Sequence, residues 1–85
     1  MSRNVQGLAP AAIVRQRETE VLQALAEGGA TPQTIVYRVG FTRSPARILR
    51  LLCDLADQGL VYFAPDRLWR LTGAGKRRLH ETRAA

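Results

Sequence analysis

One cysteine, one histidine and one lysine are little material for chemistry in a chain of 85 residues. Cys53 has no second thiol, so no internal disulfide can form, and Cys53 with His80 is too small a set for a cysteine–histidine metal cluster. No metal or other cofactor is expected. No apolar run approaches the roughly 20 residues that span a bilayer. The first seven residues are polar and no apolar segment follows them, so neither a membrane span nor a secretory signal is expected. The cytoplasm is the natural compartment. Nucleophile–base pairs, paired carboxylates and a phosphate-cradling glycine loop are also missing, so an enzyme is not expected. No small-molecule ligand is indicated.

Acids are the other shortage. Seven Asp and Glu face 13 Lys and Arg, a net charge of +6, and 12 of the 13 are arginine. Arginine forks onto phosphates and guanine edges better than lysine does. The distribution is uneven. Between Gly28 and Cys53 there are four arginines and no acid, and from Arg67 to Arg83 six basic residues and one acid. Glu18, Glu20 and Glu27 gather in the first third. A basic face set against a more neutral one is the electrostatic footprint of a nucleic-acid binder. Hydrophobic residues make up 46% of the chain, enough for a folded domain, and the length allows one domain with one small core.

The stretch that organises the rest is 44–61. Ser44 is placed to cap a helix and Pro45 suits the first helical position, where its missing N–H costs nothing. Ile48, Leu51, Leu52, Leu55 and Ala56 recur at helical spacing, and Gly59 is the expected terminator. Opposite the apolar stripe lie Ala46, Arg50, Cys53 and Asp57, with Arg47 and Asp54 on one shoulder and Leu49 on the other. The outer face is thus basic in its first half and acidic in its second. Such a helix suits an anion at its N-terminal half.

Upstream, residues 1–9 lack periodicity and read as a flexible arm in which Arg3 is solvated. A first helix is expected over 10–27, with Pro10 in its first turn, Val21, Leu22 and Leu25 in the core, and Gly28-Gly29 at its end. Ile13 and Val14 either pack on a second copy or cap the same core. Thr31-Pro32 repeats the cap-and-proline signal and opens a short helix over 32–39, with Ile35, Val36 and Val39 buried, Arg38 outside and Gly40 as the stop. Phe41 plugs the corner, and Thr42-Arg43 form the exposed turn before Ser44. Two helices joined through a glycine-containing turn make a helix-turn-helix.

After Gly59 the period changes to that of strands. Runs at 60–63 and 68–71 flank a turn centred on Pro65-Asp66, which predicts a hairpin. It needs helices to pack on, through Leu60, Tyr62, Trp69 and Leu71. Thr72 then caps a short last helix over 73–82, and 83–85 is a tail. The fold expected over 10–82 is mainly α with a small β-hairpin: a three-helix core, a short wing and a short C-terminal helix.

The order of elements is that of a winged helix-turn-helix, and particular residues add a resemblance. Leu55-Ala56-Asp57-Gln58-Gly59-Leu60-Val61 resembles the recognition-helix exit of winged-helix transcription regulators of the MarR and PadR type. Val21-Leu22-Gln23-Ala24-Leu25-Ala26-Glu27-Gly28 resembles their preceding helix, and Leu71-Thr72-Gly73-Ala74-Gly75 their exit from the wing. These are core, cap and turn positions, so they specify fold more than task. The chain departs from the pattern in its longer, proline-opened turn into the third helix and its short hairpin. It also lacks the long flanking helices that build a MarR dimer and the residues of metal-sensing relatives. The resemblance implies double-stranded DNA binding, with the third helix in the major groove and base edges read by its N-terminal residues.

On that basis the expected DNA-binding residues are Arg38, Thr42, Arg43, Ser44, Ala46, Arg47, Leu49, Arg50, Arg67 and Arg70. Arg47 and Arg50 are base or phosphate contacts, Leu49 a candidate for a thymine methyl, and Ser44 mainly a cap. Arg38 is expected on phosphate and Arg67 at the wing tip in a minor groove or on phosphate. Asp54 and Asp57 repel phosphate, so contact should stop before them. Trp69 and Tyr62 are expected in packing, and Cys53 as an incidental thiol. The leading function is sequence-specific duplex binding by a small regulator, as a homodimer through its N-terminal helix. The competing functions are a winged-helix protein-interaction or assembly module, and an architectural or replication-associated DNA binder.

Overall fold

A hydroxyl followed by proline opens both middle helices. In a computed structural model, which describes residues 2–40 and 44–84 and the side chains of 13–40 and 44–83, Thr31 and Ser44 hold extended backbone and their hydroxyls accept from the amides of Thr34 and Arg47. These bonds satisfy amides that a first turn leaves orphaned. The elements run α1 (Ser2–Ala26), α2 (Pro32–Arg38), α3 (Pro45–Asp57), β1 (Val61–Phe63), β2 (Trp69–Leu71) and α4 (Gly73–Ala84).

The core lies where α1, α2 and α3 meet. Val21, Leu22 and Leu25 of α1, Ile35 of α2, and Ile48, Leu52 and Leu55 of α3 are each 3% exposed or less. Leu60, Val61 and Leu79 extend it under the hairpin and α4. Leu51, Ala56 and Val39, expected in the core, are only partly buried at its edge. Tyr62 turns outward at 45% exposure while its neighbour Val61 is buried, because alternate residues of a strand take opposite faces.

α1 begins at Ser2 rather than Pro10, so the residues expected as an arm are helical. The winding runs through Pro10, whose fixed φ is compatible with a helix at the loss of one ladder bond. The chain therefore does carry a long N-terminal helix. Its first described side chains stand clear of the core: residues 13–16 are all exposed, with Ile13 at 43% and Val14 at 46%.

The exit from α3 sets the course of the hairpin. Gly59 takes φ +76, the Leu60 amide bonds the Leu55 carbonyl at 2.9 Å, and the Gly59 amide bonds that of Ala56 at 2.9 Å. This paired closure needs a residue without a Cβ penalty in the left-handed region. β1 and β2 pair antiparallel, with Tyr62 opposite Arg70 and Phe63 opposite Trp69. Ala30 adds a bridge on the free edge of β2, exchanging both backbone bonds with Trp69 at 2.8 and 3.0 Å. Phe63 and Trp69 rings lie 5.2 Å apart, tilted by 53°.

Thr72 ties the hairpin to α4. Its hydroxyl donates to the Gly59 carbonyl at 2.6 Å and accepts from the Gly75 amide at 3.0 Å, while its own amide bonds the Leu60 carbonyl. α4 passes so close here that a Cβ on Gly75 would overlap that Leu60 carbonyl oxygen. Gly75→Ala is therefore expected to destabilise by about 1–3 kcal/mol, as overpacking does. Gly73→Ala, with open space around it, should leave the urea midpoint level or raise it slightly. Equal midpoints for the two variants would contradict the close approach.

Candidate nucleic-acid interface

The burial of Ile48, Leu52 and Leu55 decides how α3 is rotated. With that row inward, Ala46, Arg47, Leu49 and Arg50 are all exposed on the first half of the helix, and Cys53, Asp54 and Asp57 on the second. Leu49 is 43% exposed, a large apolar side chain held in solvent rather than packed on a shoulder. Ser44 serves as the cap, its Oγ accepting from the Arg47 amide at 3.3 Å. The first half of α3 thus combines a positive helix end with two exposed guanidiniums. Thr42, Arg43 and the corner residue Phe41 lie outside the described residues.

Arg47 stands on the shoulder of α3 that faces α1, and Arg50 stands on the outer face beside it. They share a notch between α1 and α3 with Val14, Arg17, Leu51 and Asp54. Positions 47, 51 and 54 form one lateral row of α3, which the Arg50 side chain joins from the outer face, and 14 and 17 form the facing row of α1. Arg17 was not anticipated from sequence. The signal was there: it stands between Val14 and Val21 at helical spacing, a cation inside the apolar stripe of α1.

Arg38 departs most from expectation. Its Nη1 donates to the carbonyls of Ala24 and Gly28, both at 2.9 Å. The carbonyls at a helix end lack intrahelical partners and carry partial negative charge, so a nearby guanidinium is drawn to them. Helical periodicity placed Arg38 outside α2; it could not show that the end of α1 lies alongside. Through Nη1, Arg38 clamps α2 to the end of α1.

Arg67 is exposed at the wing tip, in a strained backbone. The Arg67 amide bonds the Ala64 carbonyl and the Ala64 amide bonds that of Leu68, closing a loop of Pro65, Asp66 and Arg67. Arg67 takes φ +66, the left-handed position that glycine normally fills in a loop of this kind. Asp66 orders both sides of the tip. Its Oδ1 accepts from the Leu68 amide at 3.2 Å and its Oδ2 from Arg70 Nη2 at 2.6 Å. The Arg70 hydrogen bond holds the Asp66 carboxyl below its ordinary range, and the same carboxylate raises the Arg70 guanidinium. Arg70 lies flat over Gly29, whose Cβ, if present, would stand 2.8 Å from Arg70 Cζ. It lines a groove of about 590 Å³ with Tyr62, Lys76, His80 and Arg83. The structure does not bring it to the notch of Arg47 and Arg50.

Glu18 is a further surprise. At 7% exposure it is buried, and its carboxylate accepts from Gln58 Nε2 at 3.1 Å and faces Arg78 Nη2 at 3.6 Å. The acid thereby joins α1, the end of α3 and α4.

Among the described residues no group of three or more His, Cys, Asp and Glu gathers where a metal could sit, and no helix is long and apolar enough to cross a membrane. No protein-family model matches the chain, and no curated protein matches its sequence. A solved structure does match: a transcriptional regulator (MarR family) from Rhodococcus sp. RHA1, with a TM-score of 0.70 and 23% identity. The alignment covers 98% of this chain and 68% of that one. At this identity the likeness is one of fold, and it identifies the helical core and hairpin as a winged helix.

Two variants test the local geometry. Arg38→Ala is expected to destabilise by about 1–2 kcal/mol in urea unfolding, since it removes charge-assisted bonds to the end of α1; unchanged stability would show the clamp to be idle. Arg67→Gly should stabilise by about 0.5–1 kcal/mol by relieving the left-handed arginine, less the extra freedom of glycine in the unfolded chain. A loss instead would contradict the strain.

Proposed function

We propose that this chain is a small transcriptional regulator that binds double-stranded DNA in a sequence-specific way, with the first half of α3 in the major groove and the β1–β2 hairpin as a wing. One observation carries this reading. The outer face of the first half of α3 is exposed, free of acids and basic, and among the described residues Arg47 and Arg50 have no ion-pair partner. A major groove about 12 Å wide admits one helix, and anionic walls flank it. Ala46 and Leu49 supply small and apolar contacts for base edges. Ser44, the cap of α3, and Thr42 and Arg43, which precede it in the chain, belong to the phosphate-binding part on this reading.

Arg67 supports the same reading. A residue kept in a costly conformation where glycine would be easier points to a use for its side chain. The wing presents that cation on a tip ordered in advance by Asp66. Arg38 contributes by holding α2 to α1 and Arg70 by bracing the wing, rather than by contacts of their own. A homodimer in the cytoplasm fits this reading. Ile13, 43% exposed on α1, offers a surface for a second copy, while Val14 beside it lines the notch against α3.

Selection from a random duplex pool tests the proposal. An enriched palindrome is expected, with a log–log salt slope near −4 to −5 if about five phosphates are neutralised. The double variant Arg47→Ala/Arg50→Ala should lose most of the duplex affinity. Unchanged affinity in that variant at low salt would overturn the reading. Binding without enrichment would favour an architectural role. No duplex binding above that of a generic polycation, with a co-purifying protein over Leu49 and Cys53, would favour an assembly module.

A further inference from the structure

We propose that the notch between α1 and α3 is a phosphate site in which Arg17, with Arg47 and Arg50, grips one backbone phosphate of the duplex that α3 enters. The inference rests on the DNA-binding reading above and deepens it.

The notch is about 340 Å³ and open to solvent, and α1 and α3 both build it. Three guanidiniums line it against one carboxylate, Asp54. Among the described residues none of the three is ion-paired with that acid or with any other. Arg17 is the least satisfied. Its Nε is buried and finds no acceptor among the described residues. Buried donors without partners are rare in folded proteins, and each one asks for a missing acceptor. Its neighbour Glu18 shows the contrast, because that buried charge is met by Gln58 and Arg78.

The chemistry of the lining selects the ligand. Guanidinium forks match the oxygens of a phosphate, and three of them converge more positive charge than a single carboxylate needs. Val14 and Leu51 supply an apolar side to the notch, where water screens charge less.

Placement selects the source. A helix with its side chains is about 10–12 Å across, close to the width of the major groove. Its crest then faces base edges and its shoulders face the phosphate walls. Arg47 lies on the shoulder row that also meets α1 and the Arg50 side chain reaches the same notch from the outer face beside it, whereas Leu49 lies on the opposite shoulder. The notch therefore opens where a wall of the groove must pass. Arg17 extends the protein's hold on that wall from α3 to the long helix. It makes the angle between α1 and α3 part of how the helix is seated.

The test is Arg17→Ala in the full chain, with Arg17→Lys and the exposed Arg77→Ala beside it. Duplex affinity is measured from about 50 to 200 mM salt on a selected and on a scrambled duplex. Urea midpoints check that each variant is folded. Arg17→Ala should lower affinity about tenfold at 0.1 M salt, equally on both duplexes, and flatten the log–log slope by about 0.9, the share of one phosphate. Arg17→Lys should restore the slope but only part of the affinity, and Arg77→Ala should behave as the native chain does. A folded Arg17→Ala with native affinity and slope overturns the inference and leaves the DNA-binding reading standing. So does a loss confined to the selected duplex, which would mean base reading. A native chain that binds no duplex overturns both. A nitrogen-15 shift at Arg17 Nε with inorganic phosphate but not with duplex would assign the notch to a small free anion and overturn the inference as well.

Discussion

The burial of one row of α3 is the constraint from which the rest follows. Ile48, Leu52 and Leu55 are each 0–1% exposed against α1 and α2. A helix of 13 residues is marginal alone in water, so this packing makes it persist. The same packing fixes its rotation. Once those three side chains point inward, Arg47 lies along the α1 shoulder, Ala46 and Arg50 on the outer face and Leu49 on the opposite shoulder. The placement of every candidate contact on α3 is thus a by-product of core formation. Function and stability share one helix because opposite faces serve them.

The wing depends on that helix in turn. A two-stranded hairpin of three residues a side does not stand alone. Here the closure at Gly59 sends the chain into β1, Val61 anchors the strand in the core, and Ala30 adds a backbone bridge on the far edge of β2. Thr72 then returns the chain to α4 over a glycine that lets two backbones touch. The tip is ordered by Asp66 and carries a left-handed arginine. Its geometry is settled before any partner arrives, and a preorganised contact loses less freedom on binding.

Two adjacent charges in α1 have opposite fates. Glu18 is buried and met from α3 and α4, so it acts as a polar tie among three helices. Arg17 keeps a buried nitrogen with no acceptor among the described residues. In a helix whose other inward residues are apolar, a satisfied charge reads as structure and an unsatisfied one as a place for something absent. Arg38 belongs with Glu18: its charge is spent on the end of α1.

What the sequence determined by itself is the series of elements and the starts of α2, α3 and α4. Thr31-Pro32 and Ser44-Pro45 open helices because a hydroxyl acceptor and a fixed φ are local properties. Gly59 closes one, Pro65-Asp66 turns a hairpin and Thr72 caps α4 for equally local reasons. The apolar rows of α1, α2 and α3 were legible from their period, and with the element order they implied the winged helix. Pro10 misled, because the same ring that suits a first turn can also sit within a helix. Tertiary structure alone decided which arginines are free. Arg38, Arg70 and Arg17 look alike in the sequence. One is held by the carbonyls of a neighbouring helix, one by a turn carboxylate over Gly29, and one is left with an unmet donor in a notch. Those fates depend on groups 4 to 30 or more residues away along the chain that folding brings within a few ångströms. Periodicity reports the direction of a side chain from its own axis, and it is silent about what stands there.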